Sequence, residues 1–426
     1  MSRSLFLGLT TYLLLLAGMA TVGGGFFALM LPFVAYLLAG YLFAPDEVKI
    51  EATRHLSAER VSPQGEVHVT LSLVNRGSHL EEVLVEDVLP ADLTVASGYH
   101  RHLIRLPKGA THAFTYTVTG PRGGYGFEKV RVKVNDHLGV TGREVQLEAK
   151  GQLFVFPPVT RLRHVTIRPR RTKVYAGTIP ARAGGSGTDF FGVREYHPGD
   201  SPRTINWRAS AHSADSLYSN EFQQERVADV GIVLDGRQQA NEFARGHSLF
   251  EHSVQAAAAL SDALLGQGNR VGLLVYALYL RWTIPGYGKV QRERILHSLA
   301  HAKPGGSEVF ADLANIPTRL FPVESQIILV SPLLEDDLMP LVRLRAHGYQ
   351  VLVVSPDPVK FELSYLTMSR EVELASRVVQ LERKLLLQKV QRTGVQVLDW
   401  DVSEPFDQAV KRKLGRPPGW MRAVGR

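Results

Sequence analysis

Residues 4–45 contain no Asp, Glu, Lys or Arg. A water-soluble domain does not sustain so long an uncharged, leucine-rich run, whereas a bilayer core demands one. The run divides at Gly23-Gly24-Gly25 into residues 4–22 and 26–44, and each half has about the 20 residues that a helix needs to cross hydrocarbon. A transmembrane helical hairpin over residues 1–46 is the simplest reading. The alternative is a signal peptide, because Arg3, the Leu13 to Leu16 run and Gly18-Met19-Ala20 resemble its three regions. Two crossings place Arg3 on the same side as Lys49 and Arg54, and the glycine turn carries no charge, so the positive-inside rule puts the rest of the chain in the cytoplasm.

The chain has 426 residues, which at about 100–200 residues per domain implies several domains. Hydrophobic residues make up 45% and charged residues 21%, a balance that argues against a mostly disordered chain. The absence of cysteine excludes disulfide frameworks, thiol catalysis and thiolate metal sites. A net charge of +8 fits contact with anionic lipid or nucleic acid and requires neither.

Residues 47–150 carry short alternating stretches at 66–75, 82–89, 113–119 and 129–134, separated by turn signals such as Asn75-Arg76-Gly77 and Pro107-Lys108-Gly109. That spacing predicts a β-sandwich. His55, His68, His79, His100, His102 and His112 form no His-x-x-x-His pair, and they read as solvent-facing strand residues rather than metal ligands. Residues 151–188 form a basic connector. From Lys150 through Arg161, Arg163, Arg168, Arg170, Arg171, Lys173 and Arg182 it carries positive charges and no acid, and Gly184-Gly185-Ser186-Gly187 reads as a flexible joint. Such a segment suits an anionic membrane surface as well as it suits a solvated linker. The tail, residues 404–426, repeats the basic bias, and Arg416-Pro417-Pro418-Gly419 blocks a helix, so disorder is expected there.

From residue 227 to 403 buried strands alternate with helices. Strands are expected at 230–234, 270–276, 279–285, 326–331, 350–355 and 395–400, with helices at 248–265, 291–300, 337–347 and 370–393. Alternation of this kind means a mostly parallel sheet covered by helices, so the chain as a whole is a multi-domain protein with an α/β, Rossmann-like C-terminal domain. Leu374, Val378, Leu381 and Leu385 follow one another at helical spacing and read as a core-facing stripe, with a partner helix as the alternative. Ligands of such sheets bind beyond the strands' carboxyl ends, here after Leu234, Val330 and Val354. The chain has no phosphate loop, no Gly-x-Gly-x-x-Gly after a strand, no His-Glu-x-x-His and no nucleophile elbow. His197, Asp200 and Ser210 do not pair a base with a nucleophile in any recognisable spacing, so no catalytic residue is assigned.

The most specific stretch is residues 189–226. Within it Arg194-Glu195-Tyr196-His197-Pro198-Gly199-Asp200 leads to Arg203, Ile205, Asn206, Trp207, Ala209 and Ser210. Pro198-Gly199 suits the centre of a type II turn, and Asp200 is expected to cap the helix opened by Ser201-Pro202-Arg203. Arg194 is expected to hold the turn by pairing with Asp200 or Glu195, and Trp207 is expected to be packed. The structural share therefore falls on Pro198, Gly199, Asp200 and Trp207. Arg194, Tyr196 and Arg203 are of the residue types that anchor protein interfaces and form the candidate partner-binding set.

This stretch resembles the signature of the domain of unknown function 58 family, an Arg-x-Tyr-x-Pro-Gly-Asp turn followed by Arg-x-Ile-x-Trp-x-Ala-Ser. The flanks resemble the family too, through Arg122-Gly123-Gly124-Tyr125 and the Asp-x-x-Gly element at Asp136 to Gly139. The resemblance implies membrane anchoring and a C-terminal domain like von Willebrand factor type A. It also implies a MoxR-type AAA+ ATPase as partner, with no established reaction. Metal-binding type A domains hold Mg²⁺ through Asp-x-Ser-x-Ser, a Thr and a later Asp. Here Asp235 remains, Arg237 and Gln239 replace the serines, Ser307 is the substitute for the threonine, and Pro332 follows Ser331 where the aspartate belongs. The degenerate site Asp235/Ser307 is expected to bind no metal, and no cofactor is expected. Two functions follow: a membrane-anchored protein-interaction module or adaptor in contact with lipid, and alternatively a basic tethered protein binding anionic lipid or nucleic acid. No zinc finger or RNP pattern supports nucleic acid.

Overall fold

The computed structural model describes residues 3–21, 24–42, 48–135, 142–163, 165–167, 172–212, 216–277, 279–306 and 313–414. They form two units, Met1–Phe156 and Pro157–Arg426. The uncharged run folds into two helices, α1 (Arg3–Thr21) and α2 (Gly24–Leu42). Among the described residues α2 alone, over Gly24–Tyr41, is long and apolar enough to cross a membrane by length and composition; the apolar part of α1, Leu5–Thr21, is shorter.

The first unit continues as nine strands: β1 (Ile50–Leu56), β2 (Arg60–Val61), β3 (Val67–Asn75), β4 (Leu80–Asp87), β5 (Thr94–Ser97), β6 (Arg101–Leu106), β7 (Thr111–Thr119), β8 (Gly123–Asn135) and β9 (Gly142–Val155). One sheet has the order β1-β3-β7-β5 and the other β2-β9-β8-β4-β6. Strict alternation along β3 and β8 buries Val67, Val69, Leu71 and Leu73 on one sheet against Val130, Val132 and Val134 on the other, in a single core. The sandwich extends past the expected boundary at residue 150, because β9 runs on to Val155. Of the histidines, His55, His68 and His79 are exposed and the other three half-buried. Among the described residues no His/Asp/Glu group is placed to hold a metal.

A charged pair lies inside this core. Arg54 on β1 reaches across to Asp87 at the end of β4, its Nε donating to Oδ2 at 3.1 Å and its Nη2 to Oδ1. Its Nη1 donates to Ala149 O on β9, and its guanidinium lies 4.8 Å from the Phe127 ring centre. Tyr116 Oη donates to Asp87 Oδ2 at 2.6 Å, and burial pushes that phenol up. The network ties one sheet to the other, and both charged side chains are fully buried. Replacing Asp87 by Asn keeps the shape but leaves Arg54 charged and under-paired. Urea unfolding of the Asp87→Asn protein should show a loss of about 1–3 kcal/mol; an unchanged midpoint would mean that water already solvates Arg54.

The second unit opens with a long arm. β10 (Thr172–Glu195) runs antiparallel to the first part of β11 (Tyr218–Asp235), and the one-turn helix α3 (Trp207–Ser210) lies in the connection between them. The expected joint at Gly184-Gly185-Ser186-Gly187 is therefore part of a strand. Its glycines fall where the register shifts, between Ala181/Gly184 and Gly185/Phe190, and there they serve a bulge rather than a hinge.

The second part of β11 enters the main sheet. Next come the small hairpin β12 (Phe243–Ala244) and β13 (His247–Ser248), α4 (Leu249–Gly266), β14 (Arg270–Tyr276), β15 (Leu280–Gly286), α5 (Gly288–Ala300) and β16 (Gln326–Val330). The chain closes with α6 (Leu338–Ala346), β17 (Gln350–Pro356), α7 (Pro358–Leu363), α8 (Arg370–Arg392), β18 (Gln396–Trp400) and α9 (Phe406–Lys413). The strand order is β15-β14-β11-β16-β17-β18. All neighbours are parallel except the β14–β15 pair. Val233, Leu274, Ile327, Leu329, Val351 and Val353 pack under α6 and α8 through Leu341, Leu344, Leu387 and Val390.

Two expectations fail here. Leu374, Val378, Leu381 and Leu385 do not face the core: all four are more than half exposed. The sheet takes only one stripe of α8, through Arg383, Leu387 and Val390, and the predicted stripe lies on the outer side. The tail is not disordered from its start, because α9 docks Phe406 4.7 Å from the Trp400 ring. Residues from Arg416 onward lie outside the described residues, as does the Asp136 to Gly139 element.

Candidate functional site

The signature occupies the tip of the β10–β11 arm. His197 to Asp200 form a tight turn closed by Asp200 N donating to His197 O at 3.0 Å, with Gly199 at φ +112°, a conformation that favours glycine at the third position. Asp200 does not cap the following helical turn; Ser201 does, accepting from Arg203 N. Asp200 is occupied elsewhere. Its two oxygens accept from Arg194 Nη1 at 2.8 Å and Nη2 at 2.7 Å, and Oδ2 also accepts from His197 N at 2.9 Å. Arg194 Nε lies 3.8 Å from Glu221 across the arm. The expected Arg194–Asp200 pair is thus present, and it is bidentate. Tyr196 is half-buried, its Oη donating to Asp200 O at 3.3 Å.

A second set of bonds fixes the rest of the tip. Asn206 caps α3 by accepting from Ala209 N at 2.9 Å, and its Nδ2 donates to Asn220 Oδ1 at 2.8 Å. Ser210 Oγ donates to Asn206 O and accepts from Tyr218 N, each at 2.9 Å, so this hydroxyl is committed to backbone and faces no general base. Outside the framework made by Arg194, Asp200, Asn206 and Ser210, the exposed residues include His197, Pro198, Arg203, Trp207 and Arg208. Arg203 is exposed and has no ion pair among the described residues. Trp207 is not packed as expected but 68% exposed. A two-stranded arm offers one layer and no core to bury an indole. Phe190, Val193 and Leu217 add exposed apolar surface on the same arm.

The Arg194 and His197 donors hold the Asp200 carboxyl below the usual carboxylate range, the Arg194 bond being the larger cause. The folded value lies below the unfolded one, so this stabilisation is present above about pH 3.9 and is lost as pH falls through the lower folded value. Asp200→Asn should therefore lower the melting temperature at neutral pH, and the difference from the parent should vanish in strong acid. A difference that does not change with pH would remove the ion pair from the explanation.

At the other end of β11, across the whole 18-residue strand, lies a second cluster. Asp235 Oδ1 accepts from Arg237 N at 3.0 Å and Nε at 2.9 Å; Oδ2 accepts from Arg237 Nη2 at 2.8 Å and from Ser331 Oγ at 2.6 Å. Arg237 also donates Nη1 at 3.0 Å and Nη2 at 2.8 Å to Asp337, whose Oδ2 accepts from Leu334 N at 2.8 Å. All three charged side chains are buried. Burial pushes the Asp337 carboxyl up against the opposing pull of Arg237. Ser307 lies outside the described residues. Asp337 was not singled out from the sequence, because it reads as the start of the helix that follows; Ser331 was named there only as the neighbour of Pro332.

This donor set does not fit a hard cation. Each Asp235 oxygen already accepts two hydrogen bonds, and the guanidinium sits between the two carboxylates that a dication would need. Beside it Arg383 closes the ends of β17 and β18, donating to Asp399 Oδ1 at 2.8 Å, Ser355 Oγ at 3.0 Å and Pro332 O at 2.9 Å. Two arginines thus fill the carboxyl edge where ligands of such sheets bind.

The chain is a multi-domain α/β protein whose N-terminal part includes a helix apolar enough to span a membrane. Its residues 192–368, from the end of β10 at the arm tip through β17 and α7, match the family described as protein of unknown function DUF58. The uncharacterised protein YeaD of Bacillus subtilis (strain 168) is 26% identical over 261 residues, 59% of this chain and 62% of that protein, so the match spans less than two thirds of the relative. Among solved structures, the CARDB domain of a Pyrococcus furiosus protein in complex with di-metal ions is 13% identical, with a TM-score of 0.19 over 26% of this chain and 90% of that one. Proximal thread matrix protein 1 from the mussel byssus is 16% identical, with a TM-score of 0.23 over 33% of this chain and 40% of that one. Likenesses of this size carry no functional meaning.

Proposed function

We propose that this chain is a membrane-anchored docking protein whose arm tip, through Arg203 and Trp207 with Tyr196 beside them, engages a partner protein, the partner class being a MoxR-type AAA+ ATPase. One observation carries the reading. The tip holds an exposed Trp and an exposed Arg that makes no ion pair among the described residues, on a hydrogen-bonded frame, and these residue types dominate interface energetics. Arg194 moves from the contact set to the frame, since Asp200 takes both of its terminal nitrogens. The α/β domain is read as von Willebrand factor type A-like, with Arg237 in place of the cation, so docking needs no metal. Catalysis is not part of the proposal.

The anchor is read as a two-pass hairpin with both soluble units in the cytoplasm. Reporter fusions after Pro45 test this: cytoplasmic activity supports it, and activity only outside the cell sinks it. Binding of anionic lipid or nucleic acid through the basic segments is the competing reading. Complex formation with the ATPase that persists at high salt supports docking, whereas retention of nucleic acid that collapses with salt supports the competitor.

A further inference from the structure

Among the described residues β15 is the last strand of the main sheet and pairs with β14 alone; at its far end Ile284 O accepts from Gln291 Nε2 and Pro285 O from Arg270 Nε. Thr283 faces α5, where its hydroxyl lies 2.9 Å from Ser298 Oγ. Alternation through the regular register therefore turns Leu280 and Trp282 to the opposite face; beyond Thr283 the register shifts before Gly286. That face is the continuation of the core: Trp282 is opposite Leu274 and Leu280 opposite Tyr276, and both partners belong to the cluster under α6 and α8. On β15 the cover runs out. Leu280 is 36% and Trp282 40% exposed, and Tyr279, next to Leu280 in the chain, is exposed as well.

Edge strands are guarded by charges, Pro and bulges; β15 has its bulge and Pro285 at the Gly286 end, and its regular stretch from Leu280 to Thr283 leaves Leu280 and Trp282 as an apolar pair. The charges beside it have one sign. Arg281, Lys289 and Arg294 are exposed and make no ion pair among the described residues. Glu293 lies in the same stretch, already engaged in an interaction of its own. A second copy is a poor occupant, because antiparallel pairing of two β15 strands about a two-fold axis brings Arg281 against Arg281 or its flank. Residues 408–426 are equally poor, since they carry no acid. We propose that the regular part of β15, Leu280 to Thr283, is a docking edge for an extended, acidic segment of another protein, which adds as a strand to the sheet, sets its apolar residues on Leu280 and Trp282, and pairs its carboxylates with Arg281, Lys289 and Arg294.

The test uses the full chain in detergent micelles and a fluorescein-labelled dodecapeptide of alternating Val and Glu, read by anisotropy. Saturable binding is expected, with a roughly tenfold weakening or more in Arg281→Glu and in Trp282→Ala. The same peptide N-methylated on alternate amides, which cannot complete a ladder, should not bind, nor should the version with Lys for Glu. If Arg281→Glu melts early, the exposed pair Lys289→Glu/Arg294→Glu takes its place. No saturation at about millimolar peptide, a level of weakness far below a usable interface, overturns the proposal. So does equal binding of the N-methylated or Lys peptide, or a sedimentation mass showing paired copies that Trp282→Ala separates.

Discussion

Arg237→Ala should be the most destabilising single change in the α/β unit, with a loss of about 3–5 kcal/mol, because removing one partner of a buried ion pair strands the other charge. Here two carboxylates are stranded together. Asp235 loses both of its guanidinium bonds and keeps the one from the residue-237 backbone N–H, and Asp337 loses both of its guanidinium bonds. Asp337→Asn should cost far less, since it leaves a neutral Asp235–Arg237 pair and removes the carboxylate that burial already disfavours. Urea unfolding followed by far-UV circular dichroism separates the two. Once Arg237 is gone, Asp235, Asp337 and the Ser331 hydroxyl are the oxygen set that a hard cation prefers. Millimolar Mg²⁺ should then raise the midpoint of Arg237→Ala and leave the parent unchanged. Equal destabilisation by both substitutions, or a parent midpoint that climbs with Mg²⁺, would contradict the view that the guanidinium holds this place.

Much of the α/β unit was legible because its strands are buried on both faces and spell continuous apolar runs. Arg270–Tyr276 and Gln350–Pro356 are such runs, and Ser248 and Gly394 mark the ends of their helices by a side-chain cap and a positive φ. The sandwich was less legible where its inward positions are not apolar. β1 turns Arg54 into the core to meet Asp87, and β9 places Ala149 and Gly151 on its inner face, so alternation of hydrophobicity fails while alternation of direction persists. α8 misled for the opposite reason. It carries two apolar stripes, and the sequence does not say which one the sheet takes; Arg383, a charge bonded to Asp399 and Ser355, marks the buried side. At the arm tip the Pro198-Gly199 turn and the Arg194–Asp200 pair followed from residue type and spacing. The exposure of Trp207 did not, because it depends on the absence of a second layer over a two-stranded ribbon.

At the arm tip, Arg203→Ala and Trp207→Ala should each weaken capture of the ATPase by at least about 1 kcal/mol, roughly fivefold in Kd. Both side chains project from the frame rather than build it, so neither melting temperature should move appreciably. Arg194→Ala should behave differently: it releases Asp200 from two bonds, lowers the melting temperature, and weakens capture only through the collapsed turn. Tyr196→Phe, which removes one long hydrogen bond to Asp200 O, should change neither stability nor capture by much. The most direct measurement is the affinity of a purified MoxR-type ATPase for the full chain in detergent, by calorimetry, with the Arg203→Ala/Trp207→Ala double variant beside the parent. The account predicts saturable binding by the parent that falls by about twentyfold or more in the double variant at an unchanged melting temperature. Equal affinity of the two proteins, or no binding by the parent, would contradict it.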